Sequence, residues 1–404
     1  MEISLLRHPE TIANQQRVFQ GRRDWPLSAT GEGQLQALSA RLEGRRFDLV
    51  VASPLGRAMS TAERFASEVD IDSRWSELDV GGWEGQAIEE VRNDSDFAAW
   101  RMGEDIRAGG SGERFSELRT RVWQALDEIC ARIGDGGSAL VVTHGGAIQA
   151  VVGELLGRTA VGLVGNTALT TLTRRYNRIR LRRFNDLTHL GALSPGADEA
   201  RRRGATVVSL IRHARTRANL EEVWQGHTCS GLDEVGFTQA GRLGASFPPP
   251  ERLYSSPSLR ARQTASAFMG REPAIVDDLM EIGMGNWEGL TTEAIKSSDP
   301  ELFERIFDGG EDLRRGHSGE SWAEMSMRVV AAMSGLAFLE GAVNAVVSHG
   351  GAIRAYLASL SGGGWEAATS LDTPANTGIS HVMWTAAGPK VIDYSLTPHL
   401  PDPG

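Results

Sequence analysis

Apolar runs of strand length occupy residues 3–6, 47–52 and 139–143. Each gives way to turn chemistry and then to helical spacing, at 31–42, 55–66 and 145–156. Strands alternating with helices predict an α/β fold: a largely parallel sheet with helices on both faces, in three layers. In such sheets ligands gather outside the carboxyl ends of the strands. Arg7, His8, residues 53–57 and His144 all fall at or just past such an end. Residues far apart in sequence are therefore expected to converge.

The pattern is written twice. Leu6-Arg7-His8-Pro9-Glu10-Thr11 returns as Ile211-Arg212-His213-Ala214-Arg215-Thr216. Thr143-His144-Gly145-Gly146 returns as Ser348-His349-Gly350-Gly351, and both histidines are displaced by 205 positions (213 − 8 and 349 − 144). Between them, Ser53-Pro54-Leu55-Gly56-Arg57 is answered by Ser256-Pro257-Ser258-Leu259-Arg260, and Glu77 ahead of Trp83-Glu84-Gly85 by Glu281 ahead of Trp287-Glu288-Gly289. A repeat of this length is a duplicated domain rather than a solenoid unit. The expected organisation is a first domain over 1–193, a surface linker over 194–205 and a second domain over 206–404. The two domains are expected to pair within the chain.

Composition narrows the partners. The 404 residues suit two domains, each large enough for its own core. A net charge of −10 argues against a nucleic-acid surface. No apolar run approaches the roughly 18 residues a membrane span needs. The first residues carry no basic and apolar signal region, so a cytoplasmic location is expected. Cys130 and Cys229 occupy non-equivalent places in the two copies and read as free thiols. Apart from Lys296 and Lys390, all the cationic side chains are arginines, whose planar fork suits an oxyanion.

Each copy supplies two arginines, two histidines and one carboxylate. Arg7, Arg57 and His144 can grip a tetrahedral dianion through charge-assisted hydrogen bonds. His8, at a strand end, can offer an imidazole nitrogen to phosphorus. Glu77 can protonate a leaving oxygen and afterwards deprotonate water. Arg212, Arg260, His349, His213 and Glu281 repeat the set. His189 and His399 lack partners at metal-ligand spacing and read as packing or capping residues.

These motifs resemble those of the histidine phosphatase superfamily, also called phosphoglycerate mutase-like. They comprise an Arg-His-x-x-Thr start, an arginine within Ser-Pro-x-x-Arg-Ala, a glutamate before Gly-x-Trp-Glu-Gly, and a late His-Gly-Gly. The resemblance covers nearly the whole chain in two tandem copies. It implies that His8 and His213 are phosphorylated nucleophiles, that Glu77 and Glu281 are proton donors, and that the arginines with His144 and His349 form the phosphate pocket. It further implies pocket roles for Thr11, Asn14, Gln20 and Gly21, and for Thr216, Asn219, Gln225 and Gly226. Two further elements match near the site, Ser111-Gly112-Glu113 with Ser318-Gly319-Glu320, and Asn166-Thr167 with Asn376-Thr377. No metal or other cofactor is implied.

The expected activity is hydrolysis of a small phosphomonoester, with a mutase-type phosphotransfer as the alternative. The interval from Glu77 to His144 (144 − 77 = 67) is short for a lid-bearing mutase. A further alternative makes the second copy a non-catalytic phosphate-binding or structural module, because Glu10 is replaced there by Arg215. Arg17, Arg22 and Arg23 of the first copy, against Glu222, His227 and Thr228 of the second, predict that the first favours substrates with a second anionic group.

Overall fold

Alternation of side chains along the first strand sets two buried faces of one sheet. The computed structural model describes residues 1–175, 178–386 and 388–401. The chain divides into two units, the first ending at Ser194 and the second beginning at Pro195. Strands of the first unit are β1 (Glu2–Arg7), β2 (Leu49–Ala52), β3 (Asp70–Ile71), β4 (Ser138–Thr143), β5 (Leu169–Arg175) and β6 (Arg178–Asp186). They lie in the order β3-β2-β4-β1-β5-β6; the first four run parallel, and β5 and β6 add an antiparallel edge.

Leu6, Val50, Ala52, Leu140 and Val142 project to one face and pack on Leu38, Leu42, Ala58 and Ala62, from the helices Ala29–Arg41 and Gly56–Ala62. The intervening Leu5, Val51 and Val141 point to the opposite face. There the helices Phe115–Ile133 and Gly145–Leu156 bury Leu118, Val122, Leu126, Ile148 and Val151. The result is the three-layer domain that the alternation predicts.

The second unit repeats it with β7 (Val207–Arg212), β8 (Arg252–Ser255), β9 (Ala274–Ile275), β10 (Asn344–Ser348), β11 (Ile379–Thr385) and β12 (Gly388–Leu396). Their order is β9-β8-β10-β7-β11-β12. No helix among the described residues is long and apolar enough to cross a membrane.

The stretch 194–205 corrects one expectation. It holds a helix, Pro195–Arg202, whose Ala197 and Ala200 are buried against Val207 and Ile392. Two alanines three residues apart make a narrow apolar stripe, easily lost among charges. Arg201 is buried as well, bonded to Asp198 and to the Ser209 hydroxyl, so it is not a solvated linker residue. The segment belongs to the second unit's packing.

Candidate active site

Strand register brings the two histidines of each unit together. Because β1 and β4 pair in parallel with Arg7 opposite Thr143, the next residues, His8 and His144, leave adjacent strands at the same end. Their ring centroids lie 5.2 Å apart. Ser53 follows β2 on the other side of β4, and its Oγ lies 2.7 Å from His144 Nε2.

His8 is buried, and its Nδ1 is 2.7 Å from the Pro9 carbonyl. A carbonyl only accepts, so Nδ1 carries the proton and Nε2 presents a lone pair. Burial, reinforced by the charges of Arg57 and Arg7, holds the His8 pKa well below that of a free imidazole. The ring is a neutral base with its bare nitrogen facing cations.

Those cations are themselves locked. Arg57, in the first turn of its helix, donates to the carbonyls of Arg23 and Gly21 at 2.8 Å each and from Nε to the unprotonated His8 Nε2 at 3.2 Å. Gly21 accepts with φ at +51°, a left-handed turn suited to glycine. Arg7 donates to the Val164 carbonyl at 2.5 Å, and burial lowers its pKa to about 10. Arg7 Nε and His144 Nδ1 are buried without a hydrogen-bond partner among the described residues. Unsatisfied buried groups are rare in folded proteins and call for a physical account. Here both belong to side chains that neighbour the His8 ring.

Glu77 faces this cup across the start of the helix Gly145–Leu156. Its Oε2 accepts from the Gly146 amide at 3.2 Å and its Oε1 from the Leu78 amide at 2.9 Å. A Cβ at position 146 would lie 2.3 Å from Glu77 Oε1, so glycine is needed for that approach. Thr11, Asn14 and Gln20 are joined to one another: the Thr11 hydroxyl bonds to Gln20 Oε1 at 2.8 Å and to Asn14 Oδ1 at 3.1 Å. The trio shapes the loop that delivers Gly21 to Arg57.

The second unit reproduces the arrangement. His213 Nδ1 lies 2.8 Å from the Ala214 carbonyl, and the rings of His213 and His349 are 5.2 Å apart. Arg260 donates to the carbonyls of Thr228 and Gly226, and Arg212 to that of Pro374. Glu281 accepts from the Gly351 amide at 3.0 Å. Thr216, Asn219 and Gln225 form the same loop network. Among the described residues, Arg212 Nε, Arg260 Nε and His349 Nδ1 of this cup are buried without a hydrogen-bond partner.

The Glu10 and Arg215 difference lies outside both cups. Glu10 accepts from Ser28, which caps the helix Ala29–Arg41, while Arg215 pairs with Asp233, which caps Glu234–Ser246. Each pair is a compensated swap at a helix start.

Two supports were missed in the sequence. Arg121, on the helix Phe115–Ile133, grips Glu113 with Nε and Nη2 at 2.7 and 2.8 Å. It also donates to the carbonyls of Arg74, Ser76 and Glu77, so it fixes the backbone that carries the Glu77 carboxylate. Arg328 does the same for Glu281 through Glu320 and the carbonyls of Asp278, Met280 and Glu281. The Gly-Glu element thus acts behind the site. The available signal was an arginine eight residues after each of these glutamates, on a helical face (121 − 113 and 328 − 320). We expect Arg121→Ala to lower kcat at the first site about 10- to 100-fold with little change in KM, since a misplacement near 1 Å has that scale. Steady-state kinetics with the second site disabled checks this; an equal rise in KM would contradict a positioning role.

The turn at Asn166 and Thr167 closes the back of the cup. Thr167 sits at φ +61°, a costly conformation for a β-branched residue. It lets the Thr167 amide reach the Arg7 carbonyl and Asn166 Nδ2 reach the His8 carbonyl at 3.1 Å. His189 Nε2, 3.0 Å from the Thr167 hydroxyl, pins the turn, and His399 serves Thr377 likewise.

The sequence matches the histidine phosphatase superfamily (branch 1) twice, over residues 3–187 and 208–397, and the chain belongs to that family. Among curated relatives, the probable phosphoglycerate mutase GpmB of Salmonella choleraesuis (strain SC-B67) is 34% identical over 169 residues, which is 40% of this chain and 77% of that protein. Among solved structures, a phosphoserine phosphatase mutant from Entamoeba histolytica in complex with phosphoserine is 29% identical, with a TM-score of 0.44, covering 47% of this chain and 98% of its own. A mycobacterial glucosyl-3-phosphoglycerate phosphatase in complex with VO3 is 29% identical, with a TM-score of 0.42, covering 45% and 96%.

Proposed function

We propose that each half hydrolyses a small phosphomonoester through a phosphohistidine. The observation that carries this reading is a buried imidazole with an unprotonated Nε2, flanked by two arginines and a second histidine that keep buried polar atoms without partners among the described residues, found in both halves. An ester phosphate would supply the missing acceptors. His8 Nε2 attacks phosphorus as the ester P–O bond breaks, and the Glu77 carboxyl passes its proton to the leaving oxygen. Charge on the transferring oxygens is met by Arg7, Arg57 and His144. Water then attacks the phosphohistidine, gives its proton to Glu77, and the N–P bond breaks to release phosphate. His213, Glu281, Arg212, Arg260 and His349 act alike.

Phosphate release from p-nitrophenyl phosphate in the presence of a chelator tests the reading; folded protein that turns over no member of a broad ester panel would contradict it. The name of the curated relatives favours a second reading, in which the phosphoryl group returns to substrate. Interconversion of phosphoglycerates without phosphate release would establish that instead.

The depressed pKa values of His8, His144, His213 and His349 give a stability signature, since burial leads the causes in each case. In the unfolded chain these rings take up protons near pH 6.5, whereas the folded protein keeps them neutral. The unfolded state therefore binds more protons below that pH, and stability falls as pH drops. Thermal unfolding between pH 7 and 5 should show a falling midpoint, with a smaller fall after His144→Phe in the first half. A flat midpoint across that window would contradict neutral burial.

A further inference from the structure

We propose that the second half carries, beside its phosphate cup, a subsite for a second anionic group of the substrate, built from Arg315 and Arg354 and absent from the first half. The proposal rests on the phosphomonoesterase reading and extends it to substrate class.

Arg354 follows Gly350 by four residues and Gly351 by three on the helix Gly350–Ser359, so it shares their face. That face is the reaction side. A Cβ on Gly350 would lie 3.6 Å from Arg212 Nε, and one on Gly351 would lie 2.1 Å from Glu281 Oε1. Helical side chains lean toward the N-terminus, which here is the cup. The Arg354 guanidinium sits over the Trp322 ring, its bond to the Leu371 carbonyl is long at 3.4 Å, and its Nε is buried without a partner.

Arg315 approaches from the loop before the helix Trp322–Gly335 and is 2% exposed. It lies over the Trp365 ring, whose centroid is 5.1 Å from that of Trp322, so neighbouring indoles hold the two cations. Nη1 bonds to Asp312 and to the Leu313 carbonyl, while Nη2 is buried without a partner. Asp312 also accepts from the amides of Trp322 and Ala323, so its charge is shared with a helix start. Burial depresses both Arg315 and Arg212, and the Arg354 charge adds to it in each, placing all three in one electrostatic neighbourhood. Arg315 is buried while Arg354 and Arg212 are partly buried, and like charges brought together with part of their water removed are costly unless an anion joins them.

The first half is the internal control. Gln149 stands where Arg354 does, and its amide donates to the Gly162 carbonyl at 2.9 Å. Ala108 stands where Arg315 does; each carbonyl accepts from the amide four residues on, Gly112 or Gly319. The basic loop of the first half does not replace the pair. Arg17 pairs with Glu89, Arg22 with Glu113 and Asp79, and Arg23 lies over Trp25. On this proposal the second half, rather than the first, is the one suited to a second negative charge.

The test uses full-length protein with His8→Ala, so that only the second half turns over. The substrates are n-propyl phosphate and its analogues with a terminal carboxylate or a terminal phosphate, which distinguish the two sources of charge. At least one analogue should exceed propyl phosphate in kcat/KM by about tenfold or more, as charge-assisted pairing implies. Arg354→Gln should remove most of that preference through KM, with Arg354→Lys retaining part. Arg315→Gln is the independent variant with the same expected loss. Protein with His213→Ala should show no such preference. Equal kcat/KM for all three substrates, or one uniform loss across them in both variants, would overturn the subsite while leaving the phosphatase reading intact. If the His8→Ala protein releases phosphate from nothing, catalysis by the second half fails, and the subsite with it.

Discussion

With His213 replaced by Ala so that only the first half turns over, His8→Ala is expected to lower kcat by about a thousandfold or more, the scale seen on removing a nucleophile. The reason is geometric. His8 Nε2 is the bare ring nitrogen inside the cup, because Nδ1 is tied to the Pro9 carbonyl. His144 is held differently, its Nε2 bonded to the Ser53 hydroxyl, so the loss of His8 is not expected to be made good by its neighbour. The reciprocal experiment, His213→Ala against a His8→Ala background, should give the same loss. If either single variant alone abolishes all phosphate release, the halves are not independent catalysts. The compensated Glu10 and Arg215 swap gives no ground for expecting the second half to be silent.

The other large effect is expected at the acid. Glu77→Gln, with the second site disabled, should lower turnover of an alkyl phosphate about 10²- to 10⁴-fold, the usual contribution of a positioned acid or base. With p-nitrophenyl phosphate the pattern should differ. Nitrophenolate leaves without a proton, so phosphorylation of His8 survives, while attack by water still lacks its base. Rapid mixing should then show a burst of one nitrophenolate per active site followed by slow turnover. Gln keeps the side-chain carbonyl that can accept from the Gly146 amide, so the loop is retained. Equal slowing of both substrates with no burst would contradict the assignment.

Much of this was legible because chemistry and strand ends coincide. Leu5, Leu6, Val141 and Val142 announce two strands, and Arg7, His8 and His144 follow immediately, so convergence needs only parallel pairing. What stayed hidden has physical reasons. The antiparallel edge of β5 and β6 is rich in arginine and threonine, and its alternation is weakly apolar. The helix Pro195–Arg202 buries alanines, which carry little hydrophobic signal. Arg121 and Arg328 act on backbone carbonyls, and no side-chain motif marks an arginine for that role. Arg315 and Arg354 stand out only by contrast with Ala108 and Gln149 at the matching positions of the first half.

The central claim is that a tetrahedral phosphoryl group passes through one imidazole in each half. Its most direct measurement is rapid quench of the unaltered protein with phosphate-labelled ester, followed by peptide mapping of the label. The account predicts acid-labile, base-stable label on His8 and on His213, lost from each on its replacement by Ala. Steady phosphate release with no label on either histidine, or with label on another residue, would contradict it.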